Sequence, residues 1–394
     1  MSYSRYLSVL GLTILIPALA IVAINYRIGA IGWANPEIAA TAVRWQRETH
    51  GIVNIAVPQE RNFKFLSLAD REPGVKGVIL GASTVQSLRG ADLGLHGVYN
   101  FAISSNDTAA VVTEAEYLAD AMPQLEWMVA SLDWVLGYVY RDEPPSVPDK
   151  VEQTSTISTA AQLEDTLTLP RVVGLRARLV EWVQSGAPVQ AAVQALTSPL
   201  SGPYRCTDGV PGEGFAASDP TPCAGFRWDG TMSFEGQQPI TETGHRLVLA
   251  RSLQQNGEYV QSIRSHRGMP NEEYLRDLTQ VAATLRARGG RMIVLLPPLL
   301  PGLERELLSS TDTAEYAGLT KRVIHRWAAD HDITLIDAGA SEDFGCQFSD
   351  FFDGHHNFGG CYDKIFTKLG DCRAPAWLLP PLERKDEHGK NCSR

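Results

Sequence analysis

The pattern of hydrophobic and polar positions changes character along this chain. Residues 6–24 run for 19 positions without a charge, bracketed by Arg5 and Arg27. At about 1.5 Å of rise per residue, such a helix nearly spans a hydrocarbon core of about 30 Å. The expectation is a membrane anchor over residues 1–27. Ala18 and Ala20 form an A-x-A-like pair, so a cleaved signal peptide competes, although the apolar stretch outruns the usual h-region of about 7 to 15 residues. Residues 28–74 are mixed, with one amphipathic helix candidate over 37–48, and read as a stalk or cap. From Val75 onward, short apolar runs alternate with helical periodicity, the mark of a parallel sheet covered by helices. Strands are predicted over 77–80, 97–102, 125–132, 291–296 and 333–337, and helices over 108–122, 272–288 and 314–330. Residues 137–270 interrupt this alternation with Pro144, Pro145, Pro148, Pro203, Pro211, Pro220 and Pro222. They read as a large insertion, partly helical over 172–184. The predicted fold class is α/β: a three-layer α/β/α sandwich on a mostly parallel five-stranded sheet, spanning residues 75–394.

Composition narrows the function. Of 394 residues, 44% are hydrophobic and 20% charged, enough for an ordinary core, which excludes disorder, collagen and a multispanning membrane protein. The net charge of −10 comes without any long basic run, so a dedicated nucleic-acid surface is not expected. All six cysteines, Cys206, Cys223, Cys346, Cys361, Cys372 and Cys392, lie beyond the apolar segment, and none falls in a C-x-x-C pair. That reads as up to three disulfides in an oxidising compartment rather than a zinc site, with Cys206–Cys223 and Cys346–Cys361 as the expected local pairings. The body is therefore expected outside the cytoplasmic membrane, in a bacterial periplasm, with a single span in the inner membrane.

Open α/β sheets bind ligands at the carboxyl ends of their strands, which directs the search for chemistry there. The first strand runs into Gly81-Ala82-Ser83-Thr84, placing Ser83 on a strand-to-helix turn where a nucleophile could stand. A serine in that place can equally be a helix cap. Near the other end of the sheet stands Asp353-Gly354-His355-His356-Asn357. An Asp three residues before a His can hold one ring nitrogen while the other faces a serine. His355, with Asp350 or Asp353 nearby, is the alternative base. A metal role for Asp353, His355 and His356 is disfavoured, because adjacent histidines rarely converge on one ion. Asp337 ends a strand and reads as a loop anchor. Trp134, Tyr138, Phe226 and Trp228 are candidates for stacking on sugar rings, although aromatics of this kind are more often core.

These blocks resemble the SGNH or GDSL-type hydrolases over residues 75–137 and 272–370. Gly81 and Ser83 match the family's first G-x-S block, with Ala82 at the usual Asp, and Asp353 and His356 match its last D-x-x-H block. The resemblance implies a flavodoxin-like sheet and a Ser83–His356–Asp353 triad with neither cofactor nor metal. The run from Asn100 to Asp107 has the shape of the second block, with Ser105 at the position of an oxyanion-binding Gly. In the third block Asp133 stands where the family usually has Asn. An ionised Asp133 cannot donate a hydrogen bond, so either Asp133 is protonated, or Asn106 is the donor, or activity is low or absent. The anchor, the extracytoplasmic body and the insertion look like the envelope branch of the family, similar to alginate O-acetylation and DltD-like proteins. The implied function is a membrane-anchored serine esterase or O-acyltransferase acting on acyl, chiefly acetyl, esters of a cell-envelope polysaccharide. Its implied partners are an acylated sugar polymer, the membrane and a multispanning acyltransferase. The alternative is an inactive scaffold or glycan-binding subunit of the same fold.

Overall fold

The structure, a computed structural model, describes residues 36–55, 57–104, 106, 108–133, 204–207, 210–211, 224–267 and 272–370. At its centre is a parallel sheet of five strands in the order β3-β2-β4-β9-β10: β2 (Gly77–Leu80), β3 (Val98–Asn100), β4 (Trp127–Ser131), β9 (Arg291–Leu296) and β10 (Thr334–Asp337). Gly77, Val78, Ile79 and Leu80 are all buried, as expected of a central parallel strand covered on both faces, and this is why the strand reads as one apolar run. The crossovers between parallel strands are α3 (Thr108–Ala121), α5 (Glu273–Ala287) and α7 (Ala314–Asp330), and α3 packs against α5. The Trp327 Nε1–H donates to Thr279 Oγ1 at 2.9 Å, tying α7 to α5. α8 (Gly360–Gly370) packs beside the turn after β2, where the Tyr362 hydroxyl donates to the Thr84 carbonyl at 2.9 Å. The architecture is thus α/β with helices flanking a five-stranded parallel sheet, compatible with a three-layer sandwich.

From β2 the chain winds first towards β3 and then back across to β4, so the direction of winding reverses between β2 and β4. In open α/β sheets that crevice is where ligands bind.

Residues 36–71 form two helices around a short strand: α1 (Pro36–Thr49), β1 (Ile52–Asn54) and α2 (Val57–Arg71). β1 pairs antiparallel with β5 (Tyr204–Thr207) on one side and β7 (Gly225–Phe226) on the other, while β6 (Val210–Pro211) and β8 (Met232–Ser233) complete a second sheet. The segment before Val75 and strands of the insertion therefore build one structure. Its core contains Ala39, Ala42, Val43, Val53, Phe63 and Phe226. Lys64 joins the two sheets: its buried ammonium donates to the Asn100 carbonyl at 2.7 Å and to the Gly230 carbonyl.

Two elements depart from the sequence expectation. The turn after β2 is a single 3₁₀ turn, Ser83–Val85, and no longer helix follows. The reason lies in Asn100, whose Nδ2 donates to the Val85 and Leu88 carbonyls at 2.8 Å each and so captures acceptors that a continuing helix would use. Inside the expected insertion, α4 (Glu242–Arg267) is a 26-residue helix. The apolar segment 6–24, the helix expected over 172–184, Trp134 and Tyr138 lie outside the described residues. Among the described residues, no helix is long and apolar enough to cross a membrane.

Candidate active site

Ser83 is the first residue of the 3₁₀ turn, and Gly81 makes that turn possible. Gly81 has φ +156°, and a side chain there would meet Val85 Cγ2 at 2.6 Å and Ser131 Cβ at 2.7 Å. β2 therefore passes tightly beside the end of β4 and delivers Ser83 to the winding reversal.

His356 comes to it from a loop more than 270 residues later. The His356 Nε2 lies 2.8 Å from Ser83 Oγ, and His356 Nδ1 lies 2.7 Å from Asp353 Oδ2. Asp353 Oδ1 accepts the backbone N–H groups of His355 and His356 at 2.8 Å each, so one carboxylate shapes the turn and orients the ring within it. Burial opposes ionisation of Asp353, but the His356 ring and those two backbone donors outweigh it and hold the carboxyl below its ordinary range. With Asp353 ionised, His356 carries its proton on Nδ1 and presents Nε2 as an acceptor for the Ser83 hydroxyl proton. The ring is stacked on Phe352 at 5.4 Å between centroids.

The loop is held from three sides. Phe351 and Asn357 pair as an isolated antiparallel bridge, and the buried Asn357 Oδ1 accepts the Gly359 N–H at 2.9 Å and the Ser87 hydroxyl at 3.3 Å. A Cβ at Gly354 would lie 2.1 Å from Ser252 Oγ, so α4 sits directly against the turn. The expected Cys346–Cys361 disulfide is present and encloses the whole Asp353–His356 turn. Cys223 lies outside the described residues, so its pairing with Cys206 is not placed.

No family model, curated protein or solved structure matches the chain.

The remaining candidates fall in different places. Ser105 lies outside the described residues. Asn106 is buried beside Ser83's turn, but its Nδ2 donates to Glu114 Oε2 at 2.8 Å and to the Gly81 carbonyl at 3.4 Å, while Arg61 donates to its Oδ1 at 2.9 Å. Both amide hydrogens face back into the protein, leaving none for an oxyanion. Asp133 is buried just past β4 and close to His355, whose proton affinity it raises. Burial outweighs that pull and keeps His355 below its ordinary pKa, hence neutral. His355 Nε2 lies 3.3 Å from the Asn256 amide nitrogen of α4, which donates to it, so His355 is a buried support and not the base facing Ser83. Asp350 accepts from Lys364 at 2.6 Å and from the Gln347 N–H at 2.7 Å. Asp337 is an anchor, bound to Lys321 at 2.8 Å and His325 at 2.7 Å. Among the described residues, no group of three or more His, Cys, Asp and Glu side chains is arranged to hold a metal ion.

A helix with no local signal of that role in the sequence braces the loop after β3. Glu60 on α2 accepts the Ser104 N–H at 2.7 Å and the Ser104 hydroxyl at 2.9 Å. Its neighbour Arg61 pairs with the fully buried Glu114 and reaches Asn106. Burial raises the Glu60 carboxyl above its ordinary pKa against the pull of those donors and Lys64. Only an adjacent Glu-Arg pair marks this clamp in the sequence. Phe234, 4.8 Å from Phe352 and 6.5 Å from the His356 ring, likewise carries no mark of this place in the sequence. Of the aromatics that were considered, Phe226 is 1% exposed in the second core, and Trp228 stacks on His50 at 4.2 Å.

Proposed function

We propose that this protein is a serine esterase or O-acyltransferase of the SGNH or GDSL type, with a flavodoxin-like sheet. We place it as a single-pass protein of a bacterial inner membrane whose body lies in the periplasm and acts on acyl esters of an envelope polysaccharide. The observation that carries the proposal is the continuous chain Ser83 Oγ to His356 Nε2 and His356 Nδ1 to Asp353 Oδ2, at 2.8 and 2.7 Å. A serine that merely capped a helix would not be met by a carboxylate-oriented imidazole at the carboxyl edge of the sheet.

Ser83 Oγ attacks the acyl carbonyl carbon, its proton passes to His356 Nε2, and Asp353 stabilises the imidazolium. The carbonyl π electrons move onto oxygen, which the Ser83 backbone N–H can bind, because the first residues of a helical turn have no intrahelical acceptor. Collapse of the tetrahedral adduct breaks the ester C–O bond, and the leaving oxygen takes the proton from His356. Water then releases the acyl group in an esterase, and a sugar hydroxyl takes it in a transferase. The Cys346–Cys361 disulfide supports an oxidising compartment. Fluorophosphonate labelling of the full-length protein tests the reading: label on Ser83, absent in Ser83→Ala and strongly slowed in His356→Ala, is the expected result. No label on the folded protein would overturn it.

A second reading, an inactive glycan-binding scaffold, is favoured by one observation. The Asn106 amide is already spent on Glu114 and Gly81, and Asp133 stands at the third donor position.

A further inference from the structure

α4 reaches the catalytic turn with two side chains. Along the middle of this helix Arg251, Gln254, Gln255 and Glu258 face water, while Ser252 and Asn256, one helical turn apart, are buried. Ser252 packs against Gly354, where an added Cβ would come within 2.6 Å of the Ser252 Cβ. Gly354 is pinned a second time, its carbonyl accepting the Leu300 N–H at 3.0 Å. Asn256 packs against His355: its Nδ2 lies 2.8 Å from the Ser252 carbonyl oxygen and 3.3 Å from His355 Nε2.

These two contacts fix the tautomer of His355. A carbonyl oxygen only accepts, so the Asn256 atom that faces Ser252 is the amide nitrogen, and the same nitrogen makes His355 Nε2 an acceptor. The ring proton is therefore on Nδ1. A second proton, on Nε2, would set two donors face to face. Asp133, just past β4, and Asp353, in the turn itself, attract that second proton, whereas His356 repels it and burial of the ring opposes it. The α4 side chains at this contact, Ser252 and Asn256, are neutral, so the helix acts here through hydrogen-bond geometry and not through charge.

Asn256 sits in α4 at a cost. Asparagine is a weaker helix former than leucine, and the Asn256 Oδ1, like His355 Nδ1, is buried without a hydrogen-bond partner among the described residues. An apolar side chain would suit this place in the helix better. Buried polar groups that stability does not explain gather where a site needs close placement. Here that site is one peptide away. His356 is the next residue, and the N–H groups of both histidines go to the same Asp353 oxygen. A shift of His355 is thus carried to the 2.8 Å contact between His356 Nε2 and Ser83 Oγ.

We propose that Asn256 is a positioning residue of the triad: from α4 it fixes the ring and tautomer of His355, and through the shared turn it holds His356 against Ser83. The proposal rests on the esterase or acyltransferase reading and makes the long helix of the insertion part of that machinery.

The test measures kcat and KM for p-nitrophenyl acetate hydrolysis by the full-length protein in detergent. Asn256→Leu replaces the amide with a better helix former of similar size, so its thermal unfolding midpoint should stay near the wild-type value while kcat falls about 10- to 100-fold with KM nearly unchanged. His355→Gln offers Asn256 an amide oxygen where Nε2 stood and should recover most of the rate that His355→Leu loses. The double variant Asn256→Leu/His355→Leu should lose no more than either single variant, because the two residues act as one unit. Wild-type kcat in folded Asn256→Leu, equal losses in His355→Gln and His355→Leu, or additive losses in the double variant overturns the proposal. Histidine ¹⁵N resonances read the same contact without turnover. His355 should keep its proton on Nδ1 from about pH 6 to 8, and Asn256→Leu should move the resonances of both His355 and His356. A His355 proton on Nε2, or His356 resonances that ignore Asn256→Leu, overturns the brace even in an inactive protein. Absence of fluorophosphonate label on wild-type Ser83 overturns the esterase reading instead, so the two failures give different results.

Discussion

Cys346 and Cys361 close a covalent ring around the turn that carries Asp353 and His356. The disulfide thus restrains the one loop that must place an imidazole within hydrogen-bonding reach of a serine far away in sequence. Cross-linking a loop of 15 residues is worth about 3 kcal/mol by restriction of the unfolded chain. The double variant Cys346→Ser/Cys361→Ser is expected to lose about that much stability in urea unfolding. Its fluorophosphonate labelling should slow even where the protein remains fully folded, because the turn gains freedom that Ser83 does not share. Unchanged labelling would mean that Asp353 Oδ1 and Asn357 suffice to fix the turn.

The Asp353 carboxylate serves both the loop and the ring, so its substitution has two readouts. Asp353→Asn keeps the shape but offers His356 the wrong partner for an Nδ1 proton, and labelling is expected to fall by about 10³- to 10⁴-fold. The stability effect has a defined sign. The folded-state pKa is depressed, so the contribution of Asp353 is fully present above the ordinary carboxylate value of about 3.9 and is lost as pH falls through the lower folded value. The difference in unfolding free energy between wild type and Asp353→Asn should be flat at neutral pH and shrink below about pH 4. A difference that grew on acidification would contradict an ionised, ring-bound Asp353.

The parts of this architecture that were readable in the sequence are those whose signal is local. Val78, Ile79 and Leu80 form an unbroken apolar run because they are covered on both faces, and Asp353 and His356 are three residues apart because one turn carries both. The second sheet left no such trace. Its strands are two to four residues long, and β1 finds its partners 150 or more positions away. α4 was hidden for the opposite reason: much of its surface faces water, with Leu247 74% exposed, so it lacks a clean apolar stripe. The clamp of Glu60 and Arg61 shows itself only through Ser104, Asn106 and Glu114, residues that folding brings to it. Asn106 reads as a free donor by position and is a committed one by contact, a distinction that only the partners of its amide reveal.

Arg61 and Glu114 make that clamp testable. Glu114 is fully buried, so Arg61→Met takes the guanidinium from a buried carboxylate that still accepts from Asn106, a loss of about 3 kcal/mol. The double variant Arg61→Met/Glu114→Gln removes both charges and should recover a large part of that loss while still slowing turnover of a p-nitrophenyl ester, since Asn106 is no longer held. A kcat that falls with KM nearly unchanged would mark α2 as a positioning element. If stability and kcat recovered together, the clamp would be structural only.

Lys64 gives the molecule a pH dependence of the same sign as that of Asp353, in a window several pH units higher. Burial, against the pull of Glu60 and Asp229, lowers its pKa to about 7 from an ordinary value near 10.5. In the window between those two values the unfolded chain binds a proton that the folded protein does not, so stability must rise with pH there, and below about pH 7 the term is constant. Urea unfolding from pH 6.5 to 9.5 should show this positive slope in the wild type. Lys64→Met should abolish the slope, so that the gap between the two proteins widens as pH rises, on top of a loss of about 1 to 3 kcal/mol because the Asn100 and Gly230 carbonyls lose their buried donor. An identical slope in both proteins would assign the titration to another group and leave Lys64 charged within the fold.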